Sequence, residues 1–331
     1  MSNNSCNDIT LSKAAKFLKK HDNYIILTHS SPDGDTLGSA YAIYYGLKEM
    51  GKIAEILCPD EIPKKYSYFA VKTERVTVDS PTVISVDLAD EKLLGGLEER
   101  FRGKIQLAID HHISNTRFAE NLLLDSNAAA ACEIIYELLG ALKVYINDVT
   151  AKALYTGIAT DTGCFKYSNV TAKTHIIASE LFCYDINAAE INRLMFDTKS
   201  KRLLQLERMV LDTAEYHFDD KCIMLTVTDE MQKETGCSGT DLEGIAVISR
   251  SIEGILVGIT IKQNGDREYK LSLRTFEPLD ASEICKSLGG GGHKRAAGVT
   301  LSGTLEEVKN TILAEVRDNM EKANVRASSD K

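Results

Sequence analysis

Short apolar runs alternate with helical patterns through the first half of the sequence. The apolar runs cover residues 24–28, 82–86 and 104–109, and the helical patterns cover residues 36–50, 128–139 and 148–160. Strands that alternate with helices form mostly parallel sheets with helices on both faces. In such sheets, ligands bind at the carboxyl ends of the strands. The first half is therefore predicted to be an α/β domain with a binding site along that edge.

The second half starts a new, strand-rich pattern. An apolar run at residues 222–227 precedes two strands, 254–262 and 268–275, which are joined by a turn containing Asn264-Gly265. A helix at 281–288, four consecutive glycines and a last helix at 304–322 follow. This order predicts a second, smaller α/β domain.

The two halves are separated by helical stripes rather than by a flexible linker. The chain of 331 residues is long enough for two domains of ordinary size. We predict an N-terminal domain over residues 1–186, a helical connector over 187–215 and a C-terminal domain over 216–331. The active site is expected in the cleft between the two domains.

Composition excludes several classes of protein. Lys and Arg total 39 against 48 Asp and Glu, a net charge of −9, which disfavours binding to duplex DNA. The apolar stretches are far shorter than the roughly 20 residues that span a bilayer, so no membrane segment is expected. Eight dispersed cysteines without CxxC spacing indicate reduced thiols. We therefore expect a cytoplasmic protein.

A polar loop follows the first predicted strand. It reads His29-Ser-Ser-Pro-Asp33-Gly-Asp35, and its proline and glycine favour a compact turn. Imidazole together with carboxylates suits a divalent ion such as Mn²⁺, Fe²⁺ or Mg²⁺ better than an ion that prefers thiolates. A solvated turn with helix-capping aspartates is the alternative, because a helical pattern begins at Asp35.

Further acids and imidazoles are expected at the same sheet edge. Asp87 and Asp110 each close an apolar strand, and Asp161 ends the helical pattern 148–160. His111 and His112 follow Asp110, and neighbours on an extended chain face opposite ways, so the two imidazoles should have different roles. So many carboxylates in one place would repel one another without a cation between them. The set suits a two-metal site of the kind that hydrolyses phosphoesters.

These motifs resemble those of the DHH/DHHA1 phosphoesterases, a family named for its Asp-His-His triplet. The matching segments, in order, are His29–Asp35 with Gly38-Ser39, Asp87, Asp110-His111-His112, Thr160-Asp161-Thr162-Gly163, and the GGGH sequence that ends at His293. The resemblance covers about residues 20–300. It implies a metal-binding DHH domain, a helical connector and a DHHA1 substrate-binding domain.

The resemblance also implies a role for each matched residue. One metal ion would be held by His29, Asp33 and Asp87, and the other by Asp35, Asp87, His111 and Asp161. Two Mn²⁺ ions are the expected cofactors, with Mg²⁺ or Fe²⁺ as alternatives. As the catalytic pair, Asp110 would orient a histidine and His112 would face the substrate phosphate, while Asn115 would support that loop. Relatives often carry arginine where Lys166 stands, and lysine cannot reproduce a bidentate fork.

The second half supplies a local positive region. From residue 250 to residue 298 there are eight basic and six acidic residues, a balance of +2. Lys270, Ser272 and Arg274 share one face of a strand by alternation. The resemblance implies that Ser272, Arg274, Gly291, Gly292 and His293 bind the substrate end remote from the metals. A solvated sheet face and a flexible glycine linker are the alternative interpretations.

Within the family, the chain is most similar to bifunctional oligoribonucleases. The resemblance implies hydrolysis of short single-stranded RNA and small nucleotides such as pApA, and removal of the 3′-phosphate of 3′-phosphoadenosine 5′-phosphate. A cytosolic phosphodiesterase of cyclic di-AMP or pApA is the alternative. An inorganic pyrophosphatase matches the glycine-rich motif less well, and a non-catalytic nucleotide-binding regulator fits a complete ligand set poorly. A homodimer stays open.

Overall fold

The protein is described by a computed structural model that covers residues 6–242 and 244–323, with residues 240 and 241 described by their backbone alone. The chain forms two compact units, Met1–Thr198 and Lys199–Lys331. The division falls inside residues 187–215, the segment interpreted above as a helical connector. Each unit is described by itself below.

The first unit is built on a six-stranded parallel sheet. Its strands are β1 (Asn7–Asp8), β2 (Tyr24–Leu27), β3 (Ala54–Leu57), β4 (Thr82–Val86), β5 (Leu107–Asp110) and β6 (Asn121–Leu124), in the order β1-β6-β5-β4-β2-β3. Every neighbouring pair is parallel. The α/β sheet predicted for this half is confirmed.

Helices connect and cover these strands. They are α1 (Leu11–Lys20), α2 (Gly34–Glu49), α3 (Glu98–Phe101), α4 (Ala131–Leu142), α5 (Asp148–Asp161), α6 (Ala172–Leu181) and α7 (Ala188–Asn192). Alternate residues of β2 enter different cores: Ile26 packs with α2, α4 and α5, whereas Ile25 and Leu27 pack with residues of the opposite face. The sheet is thus buried on both faces, which is why its strands read as continuous apolar runs.

The structure moves some predicted boundaries. The third apolar run, 104–109, becomes a strand only at Leu107, and the helix predicted from residue 128 begins at Ala131. The carbonyl groups of Ala128 and Ala129 bond to other segments, as shown below, so these residues precede the helix. The sequence analysis does not predict the short strands β1, β3 and β6, which lie toward the two edges of the sheet.

The second unit contains a mixed six-stranded sheet. Its strands are β7 (Glu215–His217), β8 (Cys222–Val227), β9 (Val257–Gln263), β10 (Glu268–Thr275), β11 (Gly291–His293) and β12 (Ala296–Ser302), in the order β11-β12-β10-β9-β8-β7. Only the pair β8–β9 is parallel among these described strands. The helices are α8 (Lys201–Leu211), α9 (Asp229–Thr235), α10 (Ile245–Ile248), α11 (Ala281–Ser287) and α12 (Leu305–Lys322).

The end of the glycine run is a strand rather than a flexible linker. Gly291–His293 pairs antiparallel with β12. Gly292 has φ of 144°, and a Cβ at this position would lie 2.6 Å from the Ala296 carbonyl oxygen. Only glycine fits so close to the neighbouring strand. The linker interpretation is therefore wrong for these residues.

Candidate metal centre

Three neighbouring strands deliver polar residues to one edge of the parallel sheet. His29 lies two residues after β2, Asp87 directly follows β4, and Asp110 is the last residue of β5. These strands are adjacent in the order β5-β4-β2. Parallel strands end at the same edge, so the fold alone brings the three side chains together, as the sequence analysis predicts.

Helix α2 adds two carboxylates from its first turn. Asp33 is the N-cap residue, and its Oδ1 accepts hydrogen bonds from the amides of Asp35 and Thr36, each at 3.0 Å. The helix-capping interpretation is therefore correct for Asp33, and it does not compete with the metal interpretation, since Asp33 Oδ1 also lies 3.7 Å from His29 Nε2. Asp35 is fully buried inside the first turn.

Glycines let the helix that carries Asp35 approach the helix that carries Asp161. A Cβ on Gly157 of α5 would lie 2.8 Å from Asp35 Oδ1 and 2.2 Å from Cys132 Sγ. A Cβ on Gly38 of α2 would lie 2.5 Å from the Ala153 carbonyl oxygen. Neither position leaves room for a side chain, so the close packing of α2 on α5 depends on these glycines.

Asp87 lies at the centre of the cluster. Its Oδ2 is 3.7 Å from His29 Nε2, and its Oδ1 is 3.5 Å from His111 Nε2, so the two oxygens face different imidazoles. Its φ of 52° falls in the left-handed region, which costs a non-glycine residue about 1–3 kcal/mol. The turn directs the carboxylate across the end of the sheet. Such strain is typical of functional sites.

The ligand atoms form two groups that share this neighbourhood. His29, Asp33 and Asp87 form one group, and Asp35, His111 and Asp161 form the other. In the second group His111 Nε2 lies 3.9 Å from Asp35 Oδ2 and 3.4 Å from Asp161 Oδ2. The first group has the same members as the set that the resemblance implies for one ion, and the second contains three of the four residues implied for the other, without Asp87. A third group, Asp87, His111 and His112, overlaps both.

Two atoms at the centre support a cation rather than a hydrogen-bond network. Asp87 Oδ1 and His111 Nε2 are buried and have no hydrogen-bond partner among the residues that the structure describes. Buried polar atoms without partners are rare because each costs about 1–3 kcal/mol. Distances of 3.4–3.9 Å between donor atoms are long for hydrogen bonds, yet they suit two ligands of one ion with bonds of about 2.1 Å. The donor set fits a divalent ion of the Mn²⁺ or Mg²⁺ type.

Asp110 has a different role from the other carboxylates. It is fully buried, and its Oδ1 lies 2.8 Å from His112 Nδ1 while its Oδ2 accepts from Asn115 Nδ2 at 2.7 Å. Burial works against ionisation, but the hydrogen bonds from His112 and Asn115 hold the pKa of Asp110 below its usual value. Asp110 is thus an ionised group that orients His112. His111 instead points toward Asp35 and Asp161, so the two histidines differ as predicted.

The crowded carboxylates alter the protonation of the site. Burial, together with the charges of Asp87 and Asp33, raises the pKa of Asp35 to about 7. Burial and the nearby Asp35, Asp33 and Asp87 likewise raise the pKa of Asp161 well above its usual value. Burial opposes the charged form of His29, but hydrogen bonds to Asp33 and Asp87 raise its pKa to about 11. In the absence of cations, protons therefore balance the negative charge.

One backbone segment, missed by the sequence analysis, contacts two members of the second group, Asp35 and His111. This segment is residues 128–132, and we call it the alanine segment. The Ala128 carbonyl oxygen lies 3.1 Å from His111 Nδ1, which leaves Nε2 for the site. The amides of Ala131 and Cys132 donate to the Asp35 carboxylate at 2.6 and 2.9 Å. Its sequence looked like the start of a helix and carried no other signal.

Asn169 connects Asp161 to the alanine segment. Its Nδ2 donates to the Ala129 carbonyl oxygen at 2.9 Å and to the Asp161 carbonyl oxygen at 3.1 Å. It thereby fixes the end of α5, and with it the Asp161 side chain, relative to the segment that holds Asp35 and His111. An asparagine in a loop gives no sequence signal for such a role.

The remaining residues of the sequence analysis lie in other surroundings. Ser272 and Arg274 lie on β10, both partly exposed, and Gly291–His293 form the exposed strand β11. All five belong to the second unit. Lys166 has its ammonium 5.9 Å from the centre of the Phe196 ring.

An α/β fold that gathers carboxylates and imidazoles at the carboxyl edge of a parallel sheet defines a metal-site hydrolase. Residues 23–158 match the DHH family, N-terminal domain, and residues 219–322 match the DHHA1 domain. The chain belongs to the DHH/DHHA1 phosphoesterase family, whose members are hydrolases.

Curated relatives match along nearly the whole chain. A protein from Thermus thermophilus named bifunctional oligoribonuclease and PAP phosphatase NrnA is 31% identical over 307 residues, covering 90% of each chain. The protein of the same name from Bacillus subtilis is 24% identical and covers 85% of this chain and 90% of its own.

Solved structures share the fold. The crystal structure of an exopolyphosphatase-related protein from Bacteroides fragilis has a TM-score of 0.85 at 23% identity, covering 95% of this chain and 97% of that one. RecJ from Thermus thermophilus, solved in complex with Mn²⁺, has a TM-score of 0.55 at 17% identity, covering 94% of this chain and 55% of that one.

The raised pKa values predict how pH affects stability. The pKa of His29 is about 11 in the folded protein, so protonated His29 stabilises the fold. This contribution is complete below the ordinary pKa near 6.5 and is lost as pH rises toward 11. The raised pKa of Asp35 acts in the same direction between its ordinary value and about 7. The melting temperature of metal-free protein should therefore fall from about pH 6 to about pH 9. Added Mn²⁺ should raise it more at higher pH, because cations replace protons. Scanning fluorimetry with EDTA or Mn²⁺ measures both effects, and a Mn²⁺ effect independent of pH would contradict them.

Asn169→Ala should weaken metal binding without unfolding the domain. Losing the link between Asp161 and the alanine segment should weaken one of two Mn²⁺ affinities about 10–100-fold, the usual cost of removing a partner that supports a ligand. Isothermal titration of metal-free protein with Mn²⁺ measures the change.

Asn121→Ala is the matched control. Asn121 Nδ2 also donates to a backbone carbonyl, that of Gln106 at 2.9 Å, but near the opposite end of the sheet. This variant should keep both affinities. Equal weakening in the two variants would show that Asn169 has no specific role at the site.

Proposed function

We propose that this protein is a two-metal phosphoesterase that hydrolyses short oligoribonucleotides, including pApA, to mononucleotides. We further propose that it removes the 3′-phosphate of 3′-phosphoadenosine 5′-phosphate. The observation that carries the proposal is the complete donor set around Asp87, with two buried central atoms that lack partners. The names of the relatives supply the substrate classes.

The proposed site uses two Mn²⁺ ions. His29, Asp33 and Asp87 would hold one, and Asp35, Asp87, His111 and Asp161 would hold the other, so that Asp87 bridges them. When bound, divalent ions activate a water nucleophile and neutralise charge on the phosphoryl oxygens. RecJ from Thermus thermophilus is solved with Mn²⁺ and with Mg²⁺, and we choose Mn²⁺ because the donor set mixes imidazoles with carboxylates.

His112 is the proposed proton donor to the departing oxygen. Burial lowers its tendency to be charged, but its hydrogen bond to Asp110 raises the pKa of His112 above its usual value. Since Asp110 engages Nδ1, the proton for transfer would be carried at Nε2. Asn115 holds the other carboxylate oxygen of Asp110 and, through the Leu88 carbonyl at 3.1 Å, the loop after β4. Asp110 and Asn115 thus set the orientation of His112.

The second unit would bind the substrate end remote from the metals. Arg274 offers a guanidinium and Ser272 a hydroxyl, and Gly291 and Gly292 lie on the edge strand β11, where an amide that points away from β12 suits an anion. His293 ends the same strand. We propose that these five residues bind a terminal nucleotide. Single-stranded RNA and small nucleotides are then the partners, and the net charge of −9 disfavours duplex DNA.

We also propose a cytoplasmic location. All eight cysteines are free thiols, which suits a reducing compartment. No helix in residues 6–242 and 244–323 is both long and apolar enough to cross a membrane. Nothing in the proposed chemistry requires the homodimer that the sequence analysis left open.

The proposed function predicts an order of substrates. With Mn²⁺, initial rates should be high on pApA, a short RNA and 3′-phosphoadenosine 5′-phosphate, and low on a long RNA and pyrophosphate. A preference for intact cyclic di-AMP would replace the proposal with a signalling phosphodiesterase. Absence of turnover on every compound would favour a non-catalytic nucleotide-binding protein.

Asp87→Asn tests the bridging role. Asparagine tolerates the left-handed backbone of this position, so the fold should persist while one shared charge is lost. We expect kcat on pApA to fall about a thousandfold or more, equivalent to roughly 4 kcal/mol of transition-state stabilisation. Asp90→Asn is the control: Asp90 lies three residues further on and caps a short helix through the Lys92 amide. Full activity of Asp87→Asn would contradict the two-metal mechanism.

Arg274→Ala tests the remote binding role. A charge-assisted hydrogen bond contributes about 1.5–3 kcal/mol, so the KM for pApA should rise about 10–100-fold. Hydrolysis of bis(p-nitrophenyl) phosphate, which lacks the remote nucleotide, should change much less. Arg267→Ala, which removes an exposed guanidinium paired with Glu307, should affect neither substrate. Equal losses on both substrates would rule out the remote role of Arg274.

A further inference from the structure

A ladder of hydrogen-bond donors crosses two neighbouring strands of the second unit. Strands β9 and β10 pair antiparallel, with Lys262 opposite Lys270 and Thr260 opposite Ser272. Arg274 lies two residues beyond Ser272 on the same strand. Since side chains of a strand alternate between faces and directly paired residues share a face, all five lie on one side of the sheet. We call these five residues the donor ladder.

The donor ladder lies on the side of β10 that the core does not use. Leu271 and Leu273 alternate with its residues and are fully buried in the opposite face, against α11 and α12. On the next strand, Gly298 pairs with Ser272 and Ala296 pairs with Arg274. These small residues leave space above the sheet on the β12 side of the ladder, whereas Thr260 on β9 is buried beside Leu225, which packs in a core with α8 and α10.

The first step of the ladder places two positive charges opposite each other, with the charge of Asp229 acting on one of them, that of Lys262. Like charges directly opposite each other destabilise a strand pair, and the ion pairs of this unit involve other basic residues, such as those of Arg267, Arg295 and Lys309. Neither Lys262 nor Lys270 has a carboxylate partner among the residues that the structure describes. Burial and the charge of Lys270 together lower the pKa of Lys262.

The nearest acids are engaged elsewhere. Asp229 Oδ2 accepts from the Gly265 amide at 3.1 Å, and Glu268 Oε1 accepts from Asn264 Nδ2 at 2.6 Å. At the next step of the ladder, Thr260 Oγ1 is buried and has no hydrogen-bond partner among the described residues. The ammonium groups of Lys262 and Lys270 thus have no carboxylate partner among the described residues, which suits the oxygens of a phosphate chain.

We propose that the Lys262–Lys270 pair binds an internal phosphate of single-stranded RNA longer than a dinucleotide. The inference rests on the proposed function, in which Arg274 binds a terminal nucleotide. Lys270 and Arg274 are four residues apart on one strand, about 13 Å, so the two steps contact different phosphates. Binding through phosphates alone carries no base preference. The pair thus favours oligonucleotides over dinucleotides without selecting sequence.

The double variant Lys262→Gln/Lys270→Gln tests the proposal. Steady-state kinetics with Mn²⁺ compare pApA with a pentanucleotide. The ratio of kcat/KM for the pentanucleotide to that for pApA should fall about tenfold through KM, as for removal of one charge-assisted hydrogen bond. The slope of log KM for the pentanucleotide against log salt concentration should fall by about 0.7 for each phosphate that the variant no longer neutralises.

Lys286→Gln is the matched control. Lys286 lies on α11, which packs against the opposite face of the sheet. This variant removes one positive charge from the same unit and should keep both the ratio and the salt slope. An unchanged ratio in the double variant overturns the donor ladder while leaving the proposed function in place. A wild-type protein that cleaves neither substrate overturns the proposed function, and the ladder with it.

Discussion

Mutual repulsion among buried carboxylates is the constraint on which the first unit depends. Asp35, Asp87 and Asp110 are at most 3% exposed, and they lie at one edge of one sheet. Asp110 is stabilised by hydrogen bonds from His112 and Asn115. Burial and the neighbouring carboxylates instead raise the pKa values of Asp35 and Asp161. Asp110 is thus stabilised by hydrogen bonds, whereas the other carboxylates of the cluster need protons or cations.

The way this group is held explains why the surrounding helices are packed so closely. The Asp35 carboxylate accepts hydrogen bonds from two amides at the start of α4, and Gly157 allows α5 to lie against Asp35. His111 and Asn169 bond to carbonyl groups of the same alanine segment. Elements that are far apart in sequence are therefore held by hydrogen bonds to one short stretch of backbone. A shift of that stretch would move Asp35, His111 and Asp161 together.

The sequence predicts the parts of this arrangement that follow from strand ends. Asp87 and Asp110 could be placed at one edge because each closes an apolar run in a parallel sheet, and the different directions of His111 and His112 followed from strand alternation. The alanine segment and Asn169 could not be predicted, because their contribution is made by backbone groups or by a single amide that contacts backbone. The short strands β1, β3 and β6 are defined only by their neighbours, so local pattern does not reveal them.

The two units differ in the sign of the charge that a ligand would have to balance. The first gathers acceptors that require cations, and the second places donors on an exposed sheet face where anions can reach them. Within the second unit, the apolar residues of β10 lie on one face of the sheet and the residues of the donor ladder lie on the other. Core packing and the proposed ligand binding therefore use alternate residues of one strand. A single-residue slip in the register of β10 would bury its charged residues and expose Leu271 and Leu273. The stability of the apolar core therefore fixes the positions of the donor side chains, and through them the phosphates that the proposed binding face can contact.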